Sequence, residues 1–474
     1  MSENHKTHLA VIGAGPGGYT AAFLAADLGM DVTLIDPEEN PGGVCLYRGC
    51  IPSKALLHVA KLIEETREAH KWGVTFAEPK IDLDKLRAFK EGVVNRLTQG
   101  NGMLRNQRKI RHLRGRGRFV SPTRLEVDLH DGRSAALDFT YAIIATGSRP
   151  FLIPGLIPDS KRIWTSTGAL RMEEIPQKML VMGGGVIGME LGSVYATLGS
   201  KVSVVEMLPG ILPGADLDLV RVLQKSMAPR FETIMTETKV VAMQETSKGM
   251  RVTMERKDGS TFEETYDKVM VTIGRKPNTE SIGLENLNVR INDKGFIDTD
   301  IQMRTDEPNI FAIGDVVGNP MLAHKASHEG QTAVEVIAGH KAAFEPNTIP
   351  AVVYTDPELA WCGLTETEAQ AQGRRVSVFR FPWAASGRAI TMDRTDGLTK
   401  LIIDPETERV LGMGVVGAGA GELIAEGVLA VEMAALAGDL KLSIHPHPTL
   451  SETVMESAEM FFGTSTHVYR PRRR

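Results

Sequence analysis

The stretch LAVIGAGPGG at residues 9–18 joins an apolar run, predicted to be a buried parallel strand, to a glycine-rich turn and the start of a helix. Gly13, Gly15 and Gly18 follow the spacing G-x-G-x-x-G, and the next predicted strand ends at Asp36, 23 positions after Gly13. In such a unit the glycines let the backbone approach a diphosphate at the helix N-terminus, and the acid hydrogen-bonds the adenosine ribose. The stretch therefore predicts a dinucleotide-binding domain.

A second copy of this pattern occurs at residues 179–188, MLVMGGGVIG. Gly183, Gly185 and Gly188 repeat the spacing, and Glu206 again lies 23 positions after the first glycine. Two ordinary glycine turns in parallel sheets are the alternative, but the equal spacing to a terminal acid favours two nucleotide sites. The residues after Glu206 are MLP, with no base to meet a 2′-phosphate, which favours NAD over NADP at this copy.

The repeat continues in two similar segments, YAIIATGSRP at 141–150 and KVMVTIGRKP at 268–277, each predicted to be a strand that closes one nucleotide domain. FAIGD at 311–315 predicts a further strand of the first domain, with Asp315 at the carboxyl end where ligands collect. We therefore predict an α/β fold with two Rossmann-like domains and a C-terminal α+β dimerisation domain. The predicted divisions are 1–150 with 276–345, then 151–275, then 346–474.

The C-terminal region lacks the nucleotide pattern. Strands are predicted at 350–354, 376–381 and 398–403, and a helix at 421–436. The basic end, residues 470–474, is predicted to be a solvated, disordered tail. Residues 106–118 are also basic and are predicted to form a loop and a strand of the first domain.

The composition limits the class of protein. The chain has 474 residues, 42% hydrophobic and 24% charged, with a formal net charge of -5, which gives no electrostatic case for nucleic acid. No apolar run is long enough for a membrane helix, and a strand predicted from about His8 leaves no room for a signal peptide. Three cysteines indicate redox or metal chemistry in a reducing compartment, and the absence of zinc-like spacing argues against a metal.

Two of these cysteines, Cys45 and Cys50, lie in GGVCLYRGCIPSK at residues 42–54. Pro52 suits a first helical turn, so Cys50 is predicted near a helix N-terminus, where the helix dipole favours a thiolate. The pair could close a short, reducible disulfide; two buried structural cysteines are the alternative. Cys362 stands alone and is predicted to be a packed core thiol.

A second candidate cluster is HPHPTLSE at residues 445–452. His447 is the candidate general base, and Glu452 is the carboxylate that would fix its tautomer and raise its basicity. Outside the cysteine context a surface histidine would be the better interpretation of this pattern, and it is the one we adopt for His445.

Together GGVCLYRGCIPSKALLH, both glycine motifs, ATGSRP, FAIGD and HPHPTLSE resemble the pyridine nucleotide–disulfide oxidoreductases over nearly the whole chain. The resemblance implies FAD at the first glycine motif, NAD at the second, and exchange of Cys45 with the substrate while Cys50 contacts the flavin. It also implies that His447 reaches the dithiol of the other subunit in a homodimer. The remaining implied site residues are Lys54 paired with Glu190 beside the flavin, Asp315 on the ribityl chain, Gly117 and Ala323 where backbone approaches FAD, and Val240 and Gly274 along the NAD site.

The resemblance is nearest to cytoplasmic family members that reoxidise dihydrolipoamide, with the lipoyl domains and core of 2-oxo-acid dehydrogenase complexes as partners. Glutathione- or mercuric-type reductases and a non-catalytic FAD-binding subunit are the alternatives. Tyr47 and Arg48 depart from the smaller pair common between the two cysteines, and Asp36 replaces the commoner Glu. Arg48 adds positive charge next to the dithiol in sequence, where it could shift the pKa or the potential of the dithiol.

Overall fold

The computed structural model describes residues 3–469, and the predicted tail at 470–474 lies outside them. The strands are β1 (Glu3–Ile12), β2 (Val32–Asp36), β3 (Arg111–Ser121), β4 (Arg124–Leu129), β5 (Ser134–Ile144), β6 (Ser148–Pro150), β7 (Ile163–Thr165), β8 (Lys178–Met182), β9 (Lys201–Val205), β10 (Thr233–Met235), β11 (Thr238–Thr246), β12 (Gly249–Arg256), β13 (Thr261–Tyr266), β14 (Lys268–Val271), β15 (Arg275–Pro277), β16 (Ile310–Ala312), β17 (Ala351–Val353), β18 (Glu358–Gly363), β19 (Ser377–Pro382), β20 (Leu398–Ile403) and β21 (Val410–Gly417).

The helices are α1 (Pro16–Asp27), α2 (Gly43–Arg48), α3 (Cys50–Glu68), α4 (Leu83–Gln107), α5 (Ser166–Leu170), α6 (Val186–Thr197), α7 (Leu217–Met227), α8 (Ala323–Ile337), α9 (Glu366–Ala371), α10 (Gly387–Thr391), α11 (Ala420–Glu432), α12 (Ala437–Leu442) and α13 (Glu452–Phe462). Across residues 3–469, none of these helices combines the length and the apolar character needed to cross a membrane.

The first sheet contains both halves of the predicted first domain. Strands β2, β1, β5 and β16 run parallel, with Ala10 opposite Ala142 and Ile310 also opposite Ala142. β2 is buried along its whole length, as expected for a parallel strand covered on both faces. β1 begins at Glu3 and not at about His8, because residues 3–7 pair with β5 and so extend the strand beyond its apolar part.

The second glycine motif opens a separate parallel sheet in the order β10-β9-β8-β14-β7. Between the two sheets, β6 and β15 form a two-stranded antiparallel pair. These strands carry the repeated SRP and RKP segments, at which the chain leaves the first sheet and returns to it. The fold has the two predicted Rossmann-like sheets; the exact domain boundaries remain predictions.

The C-terminal sheet is antiparallel, in the order β17-β18-β21-β20-β19, with α11 and α13 packed on it. Two predictions for secondary structure need correction. The helix predicted at 421–436 ends at Glu432, because the chain turns at Ala434, which has φ 54°. Residues 106 and 107 belong to the end of α4, and not to a loop, before β3 begins at Arg111.

A buried lysine fastens the C-terminal sheet to the second Rossmann-like unit. Lys400 on β20 is 1% exposed, and its Nζ lies 2.7 Å from Asp216, 3.0 Å from Asp218 and 2.8 Å from Glu366. The three carboxylates are close enough together to suggest a cation site, and the ammonium group occupies their centre. Burial opposes ionisation of Asp216 and Asp218, but Lys400 and neighbouring hydrogen bonds lower the pKa of both carboxyls.

We expect Lys400→Met to destabilise the protein by about 3 kcal/mol at neutral pH, because it leaves the buried carboxylate of Asp216 without its counter-charge. Asp218 and Glu366, in contrast, keep their ion pairs with Arg380. Both aspartates have lowered pKa values in the folded state, so their contribution is present above the unfolded value of about 3.9 and is lost as the pH falls through the folded pKa. The difference between variant and parent, measured by urea unfolding, should therefore shrink towards acid pH.

The matched control is Lys239→Met, which removes an exposed pair with Glu255. It should cost less than about 1 kcal/mol at any pH. Equal destabilisation by the two variants would contradict a special role for Lys400.

Candidate functional site

Both glycine loops leave a space in front of a helix N-terminus. In the first loop, a Cβ on Gly13 would lie 2.3 Å from the carbonyl oxygen of Ala145, and one on Gly18 would lie 1.9 Å from that of Gly13. Gly15, the N-cap of α1, has nothing within 4 Å of its Cβ position. Two glycines are therefore demanded by packing, and the third keeps the space in front of the helix open, which fits a diphosphate.

The second loop repeats this geometry. A Cβ on Gly183 would lie 2.7 Å from the carbonyl oxygen of Thr272, and one on Gly188 would lie 2.1 Å from that of Gly183. Gly185, the N-cap of α6, again has open space at its Cβ position. The observation that fits a nucleotide at each loop is this unfilled space beside backbone N–H groups that have no partner within the helix.

The terminal acid of each unit holds its own glycine loop. Asp36 accepts hydrogen bonds from the N–H groups of Ala14 (2.7 Å) and Glu38 (2.9 Å), and burial raises the pKa of its carboxyl. Glu206 accepts from the N–H groups of Gly184 and Leu208, both at 2.8 Å. Each carboxylate oxygen retains acceptor capacity for a ribose hydroxyl.

The two cysteines lie against the first glycine loop. Cys45 is on α2, and Cys50 is the first residue of α3. The N–H of Gly42 donates to the carbonyl of Ala14 (2.8 Å), and a Cβ on Gly43 would lie 2.4 Å from the Cα of Gly15. The helix that carries Cys45 is thus in backbone contact with the nucleotide loop.

The thiols of Cys45 and Cys50 are free and hydrogen-bonded to each other. The hydrogen bond from Cys45 is the main cause that lowers the pKa of Cys50 to about 7, and the charge of Lys54 adds to it against the opposing effect of burial. The same hydrogen bond raises the pKa of Cys45. Cys50 is therefore the better thiolate, as expected for the cysteine at a helix N-terminus.

Lys54 connects α3, the helix that begins at Cys50, to two other parts of the chain. Its Nζ lies 2.8 Å from Glu190 on α6 and 4.6 Å from the ring centre of Tyr354. Glu190 also accepts from the N–H of Tyr354 (3.0 Å). The predicted pair of Lys54 and Glu190 is in contact, and Tyr354 is a partner that the sequence did not predict.

Asp315 lies in a second network that sequence reasoning missed. Ser148 donates its hydroxyl to Asp315, and Arg275 donates to Ser148 through Nε (2.6 Å to Oγ) and Nη2 (2.8 Å to the carbonyl). Ser148 and Arg275 lie in the repeated SRP and RKP segments, so the repeat itself was the signal that could have identified them. Beneath Asp315, the buried pair of Lys325 and Glu329 closes at 2.6 Å.

The other predicted cofactor residues occupy varied positions. Ala323 is the first residue of α8, and Gly117 lies within β3 in ordinary contact with Ile35. Gly274 has φ +139° and open space at its Cβ position, whereas the side chain of Val240 is buried in the apolar cluster under the second sheet. Val240 could therefore reach a ligand only through its backbone.

The candidate base lies at the other end of the chain. His447 Nδ1 is 2.9 Å from Glu452, whose other oxygen accepts from the N–H of Thr449 (2.8 Å). Burial alone would raise the pKa of the Glu452 carboxyl, but these two hydrogen bonds lower that pKa and keep the carboxyl ionised. The imidazole of His447 is 75% exposed, and its Nε2 makes no hydrogen bond within residues 3–469.

Two expectations about neighbouring residues are wrong. His445 is not a surface histidine: its side chain is 8% exposed, with Nε2 2.8 Å from Glu426 and Nδ1 2.9 Å from the carbonyl of Ser443. The charge of Arg48 is directed to Glu38 instead of the dithiol, since its guanidinium pairs with Glu38 at 2.5 Å, and Lys54 supplies the positive charge that lowers the pKa of Cys50. Cys362 is buried, as predicted, and burial raises the pKa of its thiol to about 12.

Comparison with known protein families gives two matches along the chain. Residues 7–330 match the model described as pyridine nucleotide-disulphide oxidoreductase, and residues 349–458 match the dimerisation domain of the same group.

Individual relatives are similar over almost their full length. The dihydrolipoyl dehydrogenase of Vibrio cholerae is 50% identical over 466 residues, which is 98% of this chain and 98% of the relative. That of Thermus scotoductus is 46% identical over 98% of this chain and 99% of its own length.

Solved structures agree with these sequence matches. LpdA from Mycobacterium tuberculosis superimposes with a TM-score of 0.88 at 28% identity, covering 96% of this chain and 99% of that one. The HOCl-induced flavoprotein disulfide reductase RclA from Escherichia coli superimposes with a TM-score of 0.85 at 26% identity and the same coverage.

The hydrogen bond between the thiols predicts how the dithiol titrates. In reduced protein freed of bound nucleotide, alkylation of Cys50 should follow its thiolate fraction with a midpoint near pH 7. Cys45→Ala removes the donor and should move the midpoint towards the ordinary thiol value of about 8.5. The measurement is the alkylation rate against pH, with the modified cysteine assigned by mass spectrometry.

Cys362→Ala is the control, since its buried thiol lies in the C-terminal core and should leave the midpoint where it is. If Cys45→Ala also left the midpoint unchanged, Cys45 would not be the group that stabilises the Cys50 thiolate.

Proposed function

Because this chain belongs to the pyridine nucleotide-disulphide oxidoreductase family, we propose that it oxidises protein-bound dihydrolipoamide to lipoamide and passes the electrons through a Cys45–Cys50 disulfide and FAD to NAD. One observation carries the proposal: the helix bearing Cys45 is in backbone contact with a nucleotide-binding loop, and Cys50 begins the next helix. A dithiol placed beside a cofactor loop is suited to passing two electrons to that cofactor.

The two cofactors are assigned to separate loops. The residues that would hold FAD are the first glycine loop, Asp36, Lys54, Asp315 and the N-terminus of α8; those for NAD are the second glycine loop, Glu206 and the backbone at Val240 and Gly274. FAD, when bound, would supply an acceptor for the electron pair of the dithiol, and NAD would supply the final acceptor for that pair. Lys54 and the Arg275–Ser148–Asp315 network supply fixed positive charge and hydrogen bonds at the FAD position.

The chain's own residues carry out the thiol chemistry in two displacements. His447 accepts the proton of one substrate thiol, and the resulting thiolate attacks the sulfur of Cys45. The bond between Cys45 and Cys50 breaks, and Cys50 leaves as a thiolate, which its low pKa favours. The second substrate thiol then attacks the substrate sulfur bonded to Cys45, Cys45 leaves with the proton of that thiol, and the substrate leaves as a disulfide while His447 keeps the first proton. A carboxylate on Nδ1 keeps the proton-accepting Nε2 of His447 directed away from α13.

The match to the dimerisation domain supports a homodimer, in which we place His447 of the partner subunit over the dithiol. The surface beside His447 is apolar and open: Leu442 is 78% exposed and Ile444 is 96% exposed. Single exposed apolar residues are common, but two of them next to an imidazole with an unpaired nitrogen fit a surface that a second copy would cover.

The proposed partners and location follow from the same function. Lipoyl domains and the core of a 2-oxo-acid dehydrogenase complex are the proposed partners, in the cytoplasm, where thiols stay reduced. A mercuric-type reductase is less well supported because the chain has no vicinal cysteine pair near its end, and a glutathione-type reductase because Glu206 opposes NADPH.

Loss of the base tests the mechanism. His447→Gln should lower kcat for dihydrolipoamide by about 10²–10⁴-fold, because general-base help of that size is lost. FAD content should stay unchanged, since the substitution lies outside both glycine loops. Steady-state turnover and flavin absorbance measure the two effects.

A matched control is His467→Gln. His467 is another exposed histidine that bonds a carboxylate on α13, that of Glu456, through Nδ1. The turnover of His467→Gln should remain close to that of the parent enzyme. A parent-like turnover of His447→Gln would show that His447 is not the base.

Glu206 predicts the choice of nicotinamide cofactor. We expect kcat/KM with NAD to exceed that with NADP by roughly a hundredfold, equivalent to about 2.7 kcal/mol. Glu206→Gln removes the charge and keeps one acceptor oxygen, so it should narrow this ratio, while Asp36→Asn on the first loop should not. A parent enzyme that prefers NADP would contradict the assignment.

A further inference from the structure

Residues 37–41 join Asp36 to α2, the helix that carries Cys45. They are held by the side chains of Tyr47 and Arg48, which lie between the two cysteines in the sequence. We call residues 37–41 the 37–41 loop. Tyr47 donates its hydroxyl to the carbonyl of Asn40 (3.0 Å) and accepts from the N–H of the same residue (3.3 Å). Arg48 pairs with Glu38 at 2.5 Å, with the two side chains 40% and 26% exposed. Both residues are thus directed away from the sulfurs and towards the loop that follows the ribose-binding acid.

The other side of the 37–41 loop is fixed to α4. Asn101 donates to the carbonyl of Pro41 (3.2 Å), and Arg105 donates to that of Glu39 (3.2 Å). A Cβ on Gly102 would lie 2.1 Å from the side-chain oxygen of Asn40, so only glycine leaves room for it there. The 37–41 loop therefore lies between α4 and α2: it continues into α2 through Gly42, and the side chains of Tyr47 and Arg48 attach it to α2 a second time.

The loop connects directly to the nucleotide site. Asp36 accepts from the N–H of Glu38 with one oxygen and from that of Ala14 with the other. The chain of contacts consequently runs from Ala14 through Asp36 and Glu38 to Arg48, which is two positions before Cys50. A change at either end alters the position that the other end prefers, and such coupling is reciprocal for binding equilibria.

We propose that Tyr47 and Arg48 are positioning residues that couple occupancy of the first nucleotide site to the dithiol–disulfide equilibrium of Cys45 and Cys50. The inference rests on the proposed function in one respect, namely that FAD occupies the first glycine loop. Neither residue is a catalytic group. Burial raises the pKa of Tyr47 and so keeps its phenol neutral, and the guanidinium of Arg48 is paired with the carboxylate of Glu38. Their role is to make the 37–41 loop and α2 move as one unit.

The test compares FAD binding to the apoprotein in two states, with the Cys45–Cys50 disulfide formed and with it reduced. The ratio of the two dissociation constants is the coupling factor. Arg48→Met and Glu38→Gln should each bring this factor about threefold to tenfold closer to one, and the double variant should do no more than either single variant. Tyr47→Phe, which removes only the hydroxyl, should also bring the coupling factor closer to one.

The control is the pair Arg118 and Glu126 on β3 and β4, a more exposed ion pair in the first sheet that makes no hydrogen bond or ion pair with the 37–41 loop within residues 3–469. Arg118→Met and Glu126→Gln should leave the coupling factor unchanged. The proposal is overturned if Arg48→Met and Tyr47→Phe both keep the parental factor, or if they shift the dithiol–disulfide equilibrium equally with and without FAD. Either result would leave the proposed function intact, because Cys45, Cys50 and His447 are present in all these variants.

Discussion

The backbone of Gly43 packs directly on the backbone of Gly15, with no space for a side chain between them. This contact brings the helix of Cys45 to the open N-terminus of α1, and the bond from Gly42 to Ala14 holds it there. Without it the chain would contain a nucleotide loop and a cysteine pair in no fixed relation to each other. Electron transfer between a dithiol and a cofactor depends on such contact, and the close approach of the two backbones requires glycine at position 43.

Charged contacts fix the positions of the two Rossmann-like units and the C-terminal sheet relative to one another. Glu190 on α6 joins Lys54 beside the dithiol to the backbone of Tyr354. Lys400 joins the C-terminal sheet to the N-terminus of α7 from a fully buried position. Buried charges contribute little net stability, but they strongly disfavour arrangements in which one partner is left alone. They therefore specify one orientation of the units, which the site requires.

The base is organised differently from the dithiol. His447 is tied to Glu452 at the start of α13 and presents an exposed ring beside apolar side chains. The cysteines, in contrast, lie against the first glycine loop, with Cys45 half-buried and Cys50 exposed. A mechanism that uses both groups therefore fits a dimer in which the C-terminal domain of one copy covers the dithiol of the other, which is the arrangement we propose.

Elements with a local signal could be identified from the sequence alone. The spacing of Gly13, Gly15 and Gly18 before Asp36, its repetition at 183–206, and the position of Cys50 at the start of α3 all follow from backbone rules that act over a few residues. Only the tertiary structure decided the rest, because those contacts join residues far apart in the chain or depend on packing. It paired Arg48 with Glu38 and not with the dithiol, buried His445 against Glu426, added Ser148 and Arg275 to Asp315, and extended β1 back to Glu3 through pairing with β5. The physical reason is that a side chain's partner is set by which elements approach it in space, and sequence spacing carries that information only within a single turn or strand.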